Sequence, residues 1–381
     1  MKRLLITCEL KYDDVLGDII DRPFREILKS NIKLFDEIVV ICLPNQLERG
    51  FFESKNIKGL RYYCVNGYQK NIKDRLVYLF FKNKKTLFDE VFSLEFSHAQ
   101  IRLPSILGLG LVKLIERNVK KTQYYVAGEW DSSFSSNYKF PLSRIIGIIL
   151  NYIQDLKVSK SSCVVVAGPK LAKRYKLKYG LDCIVEYATS HNDIHSRQKD
   201  FNASNVINII YMGRLEPLKR VEDAILAIYE LRENYKVNFK ILGDGVLRTE
   251  LENLVERKNL NDNVEFLGYV SDNEIIHSLL LSSDFLILPS LSEGSPKVLL
   301  EAMSYGVIPF GTESTGSISD ILGHGIRGGG FKANSPSSIV AVLRGFIENE
   351  DKINKTISSC LKFAAENTID KQVEKIWERM L

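Results

Sequence analysis

Across its 381 residues the chain contains no C-x-x-C pair. The six cysteines, at 8, 42, 64, 163, 183 and 360, are scattered and several sit inside apolar runs. Neither a zinc cluster nor a disulfide framework is indicated, and reduced core thiols in a cytoplasmic protein are expected. Long hydrophobic runs are also missing. Ile145 to Leu150 falls far short of the roughly 20 residues a membrane span requires, and Glu9 and Lys11 interrupt the apolar start MKRLLITCELK before a signal-peptide core forms. No finger, RNP or helix-turn-helix signature is present, so nucleic acid is not an expected partner. Internal repeats, low-complexity tracts and heptads are absent as well. What remains is a composition of 45% hydrophobic and 26% charged residues, that of a soluble globular protein too long for one ordinary core.

Charge is unevenly shared. Residues 1–200 hold 33 basic and 22 acidic side chains and the remainder 19 and 25, so a first half of +11 precedes a second half of −6. A basic domain draws anionic membranes or anionic substrates.

The stretch Asp284 to Phe310, DFLILPSLSEGSPKVLLEAMSYGVIPF, organises the rest. Phe285 to Leu288 read as a strand buried on both faces of a parallel sheet. Ser295 reads as an N-cap, Pro296 as the first helical residue, and Val298 to Met303 as a helix ended by Gly306. Such a helix, starting at the carboxyl end of a strand, favours an anion. Lys297 in its first turn opposes the helix dipole by about 0.3–1 kcal/mol unless something negative sits there. Glu293 and Glu301 flank the turn, and carboxylates beside a phosphate are better placed to accept hydrogen bonds from hydroxyls. Phosphate plus hydroxyls points to a sugar nucleotide.

Upstream, YMGRLEPLKRVEDAI places Gly213, Arg214 and Lys219 in the turn after another strand, where two cations five residues apart can reach one diphosphate. ILGDGVLRTELENL adds Gly243 and Asp244 at a strand end, a pattern that a tight turn explains equally well. GTESTGSISDIL brings Gly311 and Gly316 into a loop after the last core strand.

The set E-G-S-P-K-V-L-L-E together with G-R-x-x-x-x-K resembles the donor site of the retaining GT-B glycosyltransferases, family four (group 1) in particular. The resemblance implies that Glu293 faces the donor sugar, that Glu301 holds the nucleotide ribose, and that Arg214 and Lys219 bind the diphosphate as it leaves. It also brings Gly294, Ser295, Pro296 and Lys297 to the donor, and the backbone of Tyr269 and Val270 to the nucleobase, UDP or GDP remaining open. A first-domain histidine near the donor sugar is implied at His98. No D-x-D motif occurs, so no metal and no cofactor beyond the nucleotide-sugar co-substrate is expected. The implied activity is a hexosyltransferase-type reaction on a glycan or lipid-linked acceptor in bacterial surface polysaccharide synthesis. Sugar-nucleotide 2-epimerases and non-catalytic glycan-binding proteins share the fold and are the alternatives.

The expected architecture is α/β, GT-B, two Rossmann-like doubly wound parallel sheets facing across a cleft. Residues 1–195 form the acceptor domain, 196–348 the donor domain, and 349–381 C-terminal helices that cross back. In the first domain strands are expected at Leu4–Cys8, Glu37–Leu43, Arg61–Val65, Val91–Phe96, Gln123–Ala127, Ser162–Ala167 and Ile184–Tyr187, with helices around 20–34, 70–82, 107–118, 140–157 and 168–177. Only Gly17 follows the first strand, in a turn with Tyr12, Asp13 and Asp14. Glu129, Trp130 and Asp131 offer carboxylates and an aromatic face for a sugar. The stretches 69–85 and 143–160 mix basic and apolar residues and are candidates for contact with an anionic membrane.

Overall fold

Strand and helix alternate through two α/β units in the computed structural model, which describes residues 1–13, 15–19, 21–44, 50–65, 89–130, 143–195, 201–202 and 204–381. One unit comprises Met1–Glu186 with Ile369–Leu381, the other Tyr187–Thr368. The division therefore falls at 186/187 rather than 195/196. Only the last thirteen residues join the first unit, because Asn367 ends the helix Glu350–Glu366 and a separate helix, Ile369–Trp377, follows.

In the first unit the strands are β1 (Arg3–Asp13), β2 (Asp18–Ile19), β3 (Glu37–Pro44), β4 (Gly50–Glu53), β5 (Leu60–Cys64), β6 (His98–Leu103), β7 (Lys121–Val126), β8 (Val164–Ala167) and β9 (Ile184–Glu186). They lie in the order β4-β5-β3-β1-β6-β7-β8-β9, parallel except for β4 at one edge, with β2 paired antiparallel to the end of β1. Helix starts follow local chemistry. Asp21 accepts from the Phe24 amide at 2.8 Å to cap Arg22–Asn31, and Ser105 accepts from the Gly108 amide at 2.8 Å to cap Ile106–Asn118. Trp377 fastens the C-terminal helix here. It is fully buried, donates to Asn31 Oδ1 at 2.7 Å and meets Phe35 edge-on at 5.0 Å.

The expected strand Val91–Phe96 is not one. A helix ends at Val91, and the strand is His98–Leu103. Val91 and Phe96 are buried by packing around that turn, whereas the strand HAQIRL carries polar residues that weaken its apolar signal. The helix expected at 70–82 and the stretch 69–85 lie outside the described residues. All six cysteines are free, five of them buried, as expected of core thiols.

In the second unit β10 (Ile207–Met212), β11 (Val237–Leu242), β12 (Val264–Gly268), β13 (Phe285–Leu288), β14 (Ile308–Thr312) and β15 (Gly329–Phe331) form a parallel sheet in the order β12-β11-β10-β13-β14-β15. All four residues of β13 are buried, the signature of a strand covered on both faces. The sequence order reverses between β10 and β13, where open α/β sheets leave a crevice at their carboxyl ends.

Candidate active site

The loops that leave β10 and β13 meet at this reversal. After β10 a short turn, Pro217–Lys219, is tied to the loop after β13 by the Leu291 amide donating to the Leu218 carbonyl at 2.8 Å. This bond sets Lys219 beside Glu293. The ammonium donates to Glu293 Oε1 at 2.6 Å, with the two side chains only 17% and 13% exposed. The two charges thus stay close to the surface of the crevice without being fully solvated.

Neighbouring backbone is stitched tightly. Gly213 donates to Leu242 O at 2.9 Å, Leu215 to Asp244 O at 2.9 Å, and Gly243 to Gly268 O at 2.8 Å. At Gly243, with φ +146°, a Cβ would stand 1.8 Å from the Gly213 carbonyl oxygen. The glycine at the end of β11 therefore serves the close approach of two turns. Asp244 accepts from the Gly245 amide at 2.7 Å and lies 3.3 Å from Arg248, so it closes its own turn.

Arg214 leaves the same strand end, but its guanidinium is 73% exposed and pairs with Glu216 at 2.7 Å. Arg214 and Lys219 thus each hold a carboxylate of the chain. Beneath this turn the Tyr211 hydroxyl donates to the Arg214 carbonyl at 2.9 Å. Burial first, and then the charges of Glu293 and Glu216, push its phenol up, while Arg214 pulls it down. Sequence reasoning passed over Tyr211 because it reads as one more apolar residue of a buried strand.

The loop with Gly316 closes from the other side. Gly316 has φ +55°, its Cβ position lies 2.2 Å from the Glu293 carbonyl oxygen, and the Ser317 amide donates to Gly294 O at 2.9 Å. Nothing stands within 4 Å of the Cβ position of Gly294. Ser290 and Thr312, just beyond or at the ends of neighbouring β13 and β14, have fully buried hydroxyls without a hydrogen-bond partner.

The helix start differs from expectation. Pro296, with ψ 112°, occupies the cap position and the helix runs Lys297–Met303. Ser295 does not cap it, because its hydroxyl accepts from the Ala188 amide at 3.1 Å. With seven residues this helix contributes a short dipole, and Lys297 stands at its first position. Glu301 projects from its middle. Together with burial, the first cause, its charge pushes the Tyr305 phenol up to about 12. Tyr305 hydrogen-bonds His277 Nδ1 at 3.0 Å and stacks on His195 at 4.1 Å. Tyr269 is exposed at the end of β12, and Val270 packs on the core.

His98 is corrected. It begins β6, at the amino edge of the sheet, whereas ligands of such sheets bind at the carboxyl edge. Its side chain is buried, with Nε2 2.9 Å from Met380 O, Nδ1 2.9 Å from Ser97 Oγ, and the ring against Phe35 and Trp377. It is a structural residue of the first unit. Tyr12 stacks on Phe52 at 5.3 Å and Asp13 holds the amides of Val15 and Leu16, so that turn is structural too. Trp130 is buried, Glu129 pairs with Arg174 at 3.2 Å, and Asp14 and Asp131 lie outside the described residues. Among the described residues no group of three or more His, Cys, Asp or Glu is arranged to hold a metal.

Residues 193–360, the span that contains this constellation, match the family described as Glycosyl transferases group 1. The chain is a glycosyltransferase whose second unit carries the group 1 domain. It is 26% identical over 270 residues to an uncharacterized glycosyltransferase of Methanocaldococcus jannaschii, covering 64% of this chain and 74% of that one. Among solved structures, the lipopolysaccharide outer core galactosyltransferase WaaB matches at TM-score 0.67 with 15% identity, covering 100% of both chains. Anabaena HepE, solved in complex with UDP, matches at TM-score 0.67 with 16% identity, again over 100% of both. The glycosyltransferase thus has the GT-B fold of two Rossmann-like parallel-sheet units.

Proposed function

We propose that this glycosyltransferase is a retaining, hexosyltransferase-type enzyme that moves a sugar from a UDP- or GDP-sugar to a hydroxyl of a glycan or lipid-linked glycan. The observation that carries the reading is the contact of Lys219 with Glu293 at the sheet's reversal point, where a cation for phosphate and a carboxylate for sugar hydroxyls share one crevice. As the bond from the sugar's anomeric carbon to the β-phosphate oxygen breaks, Lys219 and Arg214 stabilise the charge that gathers on the diphosphate. The acceptor oxygen bonds the anomeric carbon on the same face, and its proton leaves with the departing phosphate. Glu293 holds the donor sugar and Glu301 the ribose. Gly213, Gly243, Asp244, Gly294, Ser295, Pro296, Lys297 and the backbone at Tyr269 and Val270 shape the donor pocket. No step requires a metal, since the chain's own cations supply the positive charge.

The UDP held by HepE supports a nucleotide-sugar donor, and the likeness to the lipopolysaccharide galactosyltransferase WaaB supports a place in surface polysaccharide synthesis. The test is a thermal-shift screen against UDP, GDP and their sugars, followed by product analysis. A ligand bound only by the native state raises the melting temperature, by the equivalent of about 2.7 kcal/mol at a hundred times its Kd. No shift with any nucleotide overturns the reading, and an altered sugar nucleotide released without acceptor replaces transfer by epimerisation.

A further inference from the structure

The helix Ser143–Val158 is amphipathic in the wrong direction for a water-soluble protein. Ile145, Ile148, Ile149, Tyr152, Ile153 and Leu156 follow the spacing of one helical face, and each is 37–60% exposed. The face turned into the protein carries Gly147, Leu150, Gln154, Asp155 and Val158, so its two polar members are among the most buried residues of the unit. Single exposed apolar side chains are ordinary, but six in one stripe make a surface that binds something.

Asp155 sets what surrounds the stripe. It pairs with Arg174 at 2.6 Å and Lys178 at 3.1 Å, and accepts from the hydroxyls of Tyr175 at 2.9 Å and Tyr179 at 3.0 Å. These contacts hold the lysine-rich helix Pro169–Tyr179 alongside, with Lys170, Lys173, Lys176 and Lys178 exposed. From 143 to 182 the sequence has eight basic residues and two acids; the buried Asp155 pairs with Arg174 and Lys178, and the exposed Asp182 pairs with Lys176 at 2.7 Å. The apolar stripe is therefore flanked by a net positive helix on which Lys170 and Lys173 stand exposed.

We propose that this face is an interfacial membrane-binding surface, the stripe entering the headgroup boundary of an anionic bilayer while the neighbouring lysines meet lipid phosphates. A second copy of the chain is the poorer occupant, since pairing along the stripe would oppose two like-charged belts. No helix among the described residues is long and apolar enough to cross a membrane, so the contact lies on the bilayer. The inference deepens the reading of a lipid-linked acceptor, yet its test needs neither donor nor turnover.

The full chain is sedimented with vesicles of phosphatidylcholine alone and of equal parts phosphatidylcholine and phosphatidylglycerol. Binding is expected to the anionic vesicles and to weaken with added salt. Ile148→Gln with Tyr152→Gln should weaken it at least about ten-fold, and Lys170→Gln with Lys173→Gln by a similar factor. These positions are exposed, so nucleotide-induced thermal shifts should be retained in both variants. Absence of wild-type binding, or undiminished binding by the apolar variant, overturns the proposal. So does a concentration-dependent dimer that the apolar variant abolishes. A failed nucleotide screen with intact vesicle binding would instead refute the donor reading and leave this surface standing.

Discussion

Replacing Lys219 by Met isolates the most informative contact in the second unit. At 2.6 Å the gross attraction between Lys219 and Glu293 is about 6 kcal/mol with an effective dielectric near 20. Desolvation of the two ions, several kcal/mol each when buried, offsets most of it. Removing one partner of a fully buried pair costs about 3–5 kcal/mol, whereas exposed pairs are worth about 0–1. At 17% and 13% exposure an intermediate loss of about 2 kcal/mol is expected for Lys219→Met, lowering the melting temperature by roughly 4–8 °C. Catalysis should suffer more. A preorganised charge aimed at a developing anion is worth about a factor of 100 to 1,000 in kcat.

Calorimetric titration with nucleoside diphosphate and with the bare nucleoside separates the two effects. Lys219→Met should lose diphosphate affinity but keep that of the nucleoside. Glu293→Gln should do the reverse of simple damage: it removes a carboxylate that competes for the ammonium, so diphosphate binding tightens a few-fold while turnover falls by orders of magnitude. Equal diphosphate affinity in wild type and Lys219→Met, measured well below the melting temperature of each, would make the pair a structural clasp and refute the argument.

Two further outcomes follow from the geometry. Burial, the first cause in each case, holds His98, His191 and His195 below the ordinary 6.5, with Lys121 and Lys2 adding to the effect at His98 and His277 at His195. The native state thus takes up fewer protons than the unfolded chain, so stability is complete above about 6.5 and falls as pH drops through the native pKa values. Thermal unfolding followed from neutral to mildly acidic pH should show this decline. His98→Gln should remove part of it while leaving turnover at neutral pH intact, and a turnover collapse would restore His98 to the chemistry. Gly243→Ala should destabilise the second unit by about 2–4 kcal/mol, because its Cβ overlaps the Gly213 carbonyl and its φ is +146°. Denaturant unfolding reads this directly, and a neutral effect would show that the two turns have room to part.

The donor half was more legible than the first unit for a physical reason. Its strands are continuous apolar runs, as in FLIL of β13, and its turns carry glycines whose need is local. The residue types of the crevice were readable for the same reason. What sequence could not supply was the pairing itself: Lys219 and Glu293 lie 74 residues apart and meet only because β10 and β13 are neighbours across the reversal. Ser295 was misread as a cap because its competitor, the Ala188 amide, lies 107 residues away. Local propensity ranks a serine hydroxyl against nearby amides and is blind to a distant one.

His98 and the 143–158 helix fail in a more instructive way. Moving a strand by a few residues, from Val91–Phe96 to His98–Leu103, carries a side chain from the carboxyl edge of a sheet to its amino edge and converts a reactant into packing. Periodicity in the helix places apolar residues on two opposite faces, Leu150 and Val158 on one and the isoleucines on the other. Hydrophobicity alone would bury the isoleucine face, because it is the larger. The fold buries the other, and there Asp155 meets Arg174, Lys178, Tyr175 and Tyr179, whose charges and hydroxyls offset the cost of taking its carboxylate out of water. The polar network therefore makes the buried face tolerable, and the isoleucine face is left for another surface.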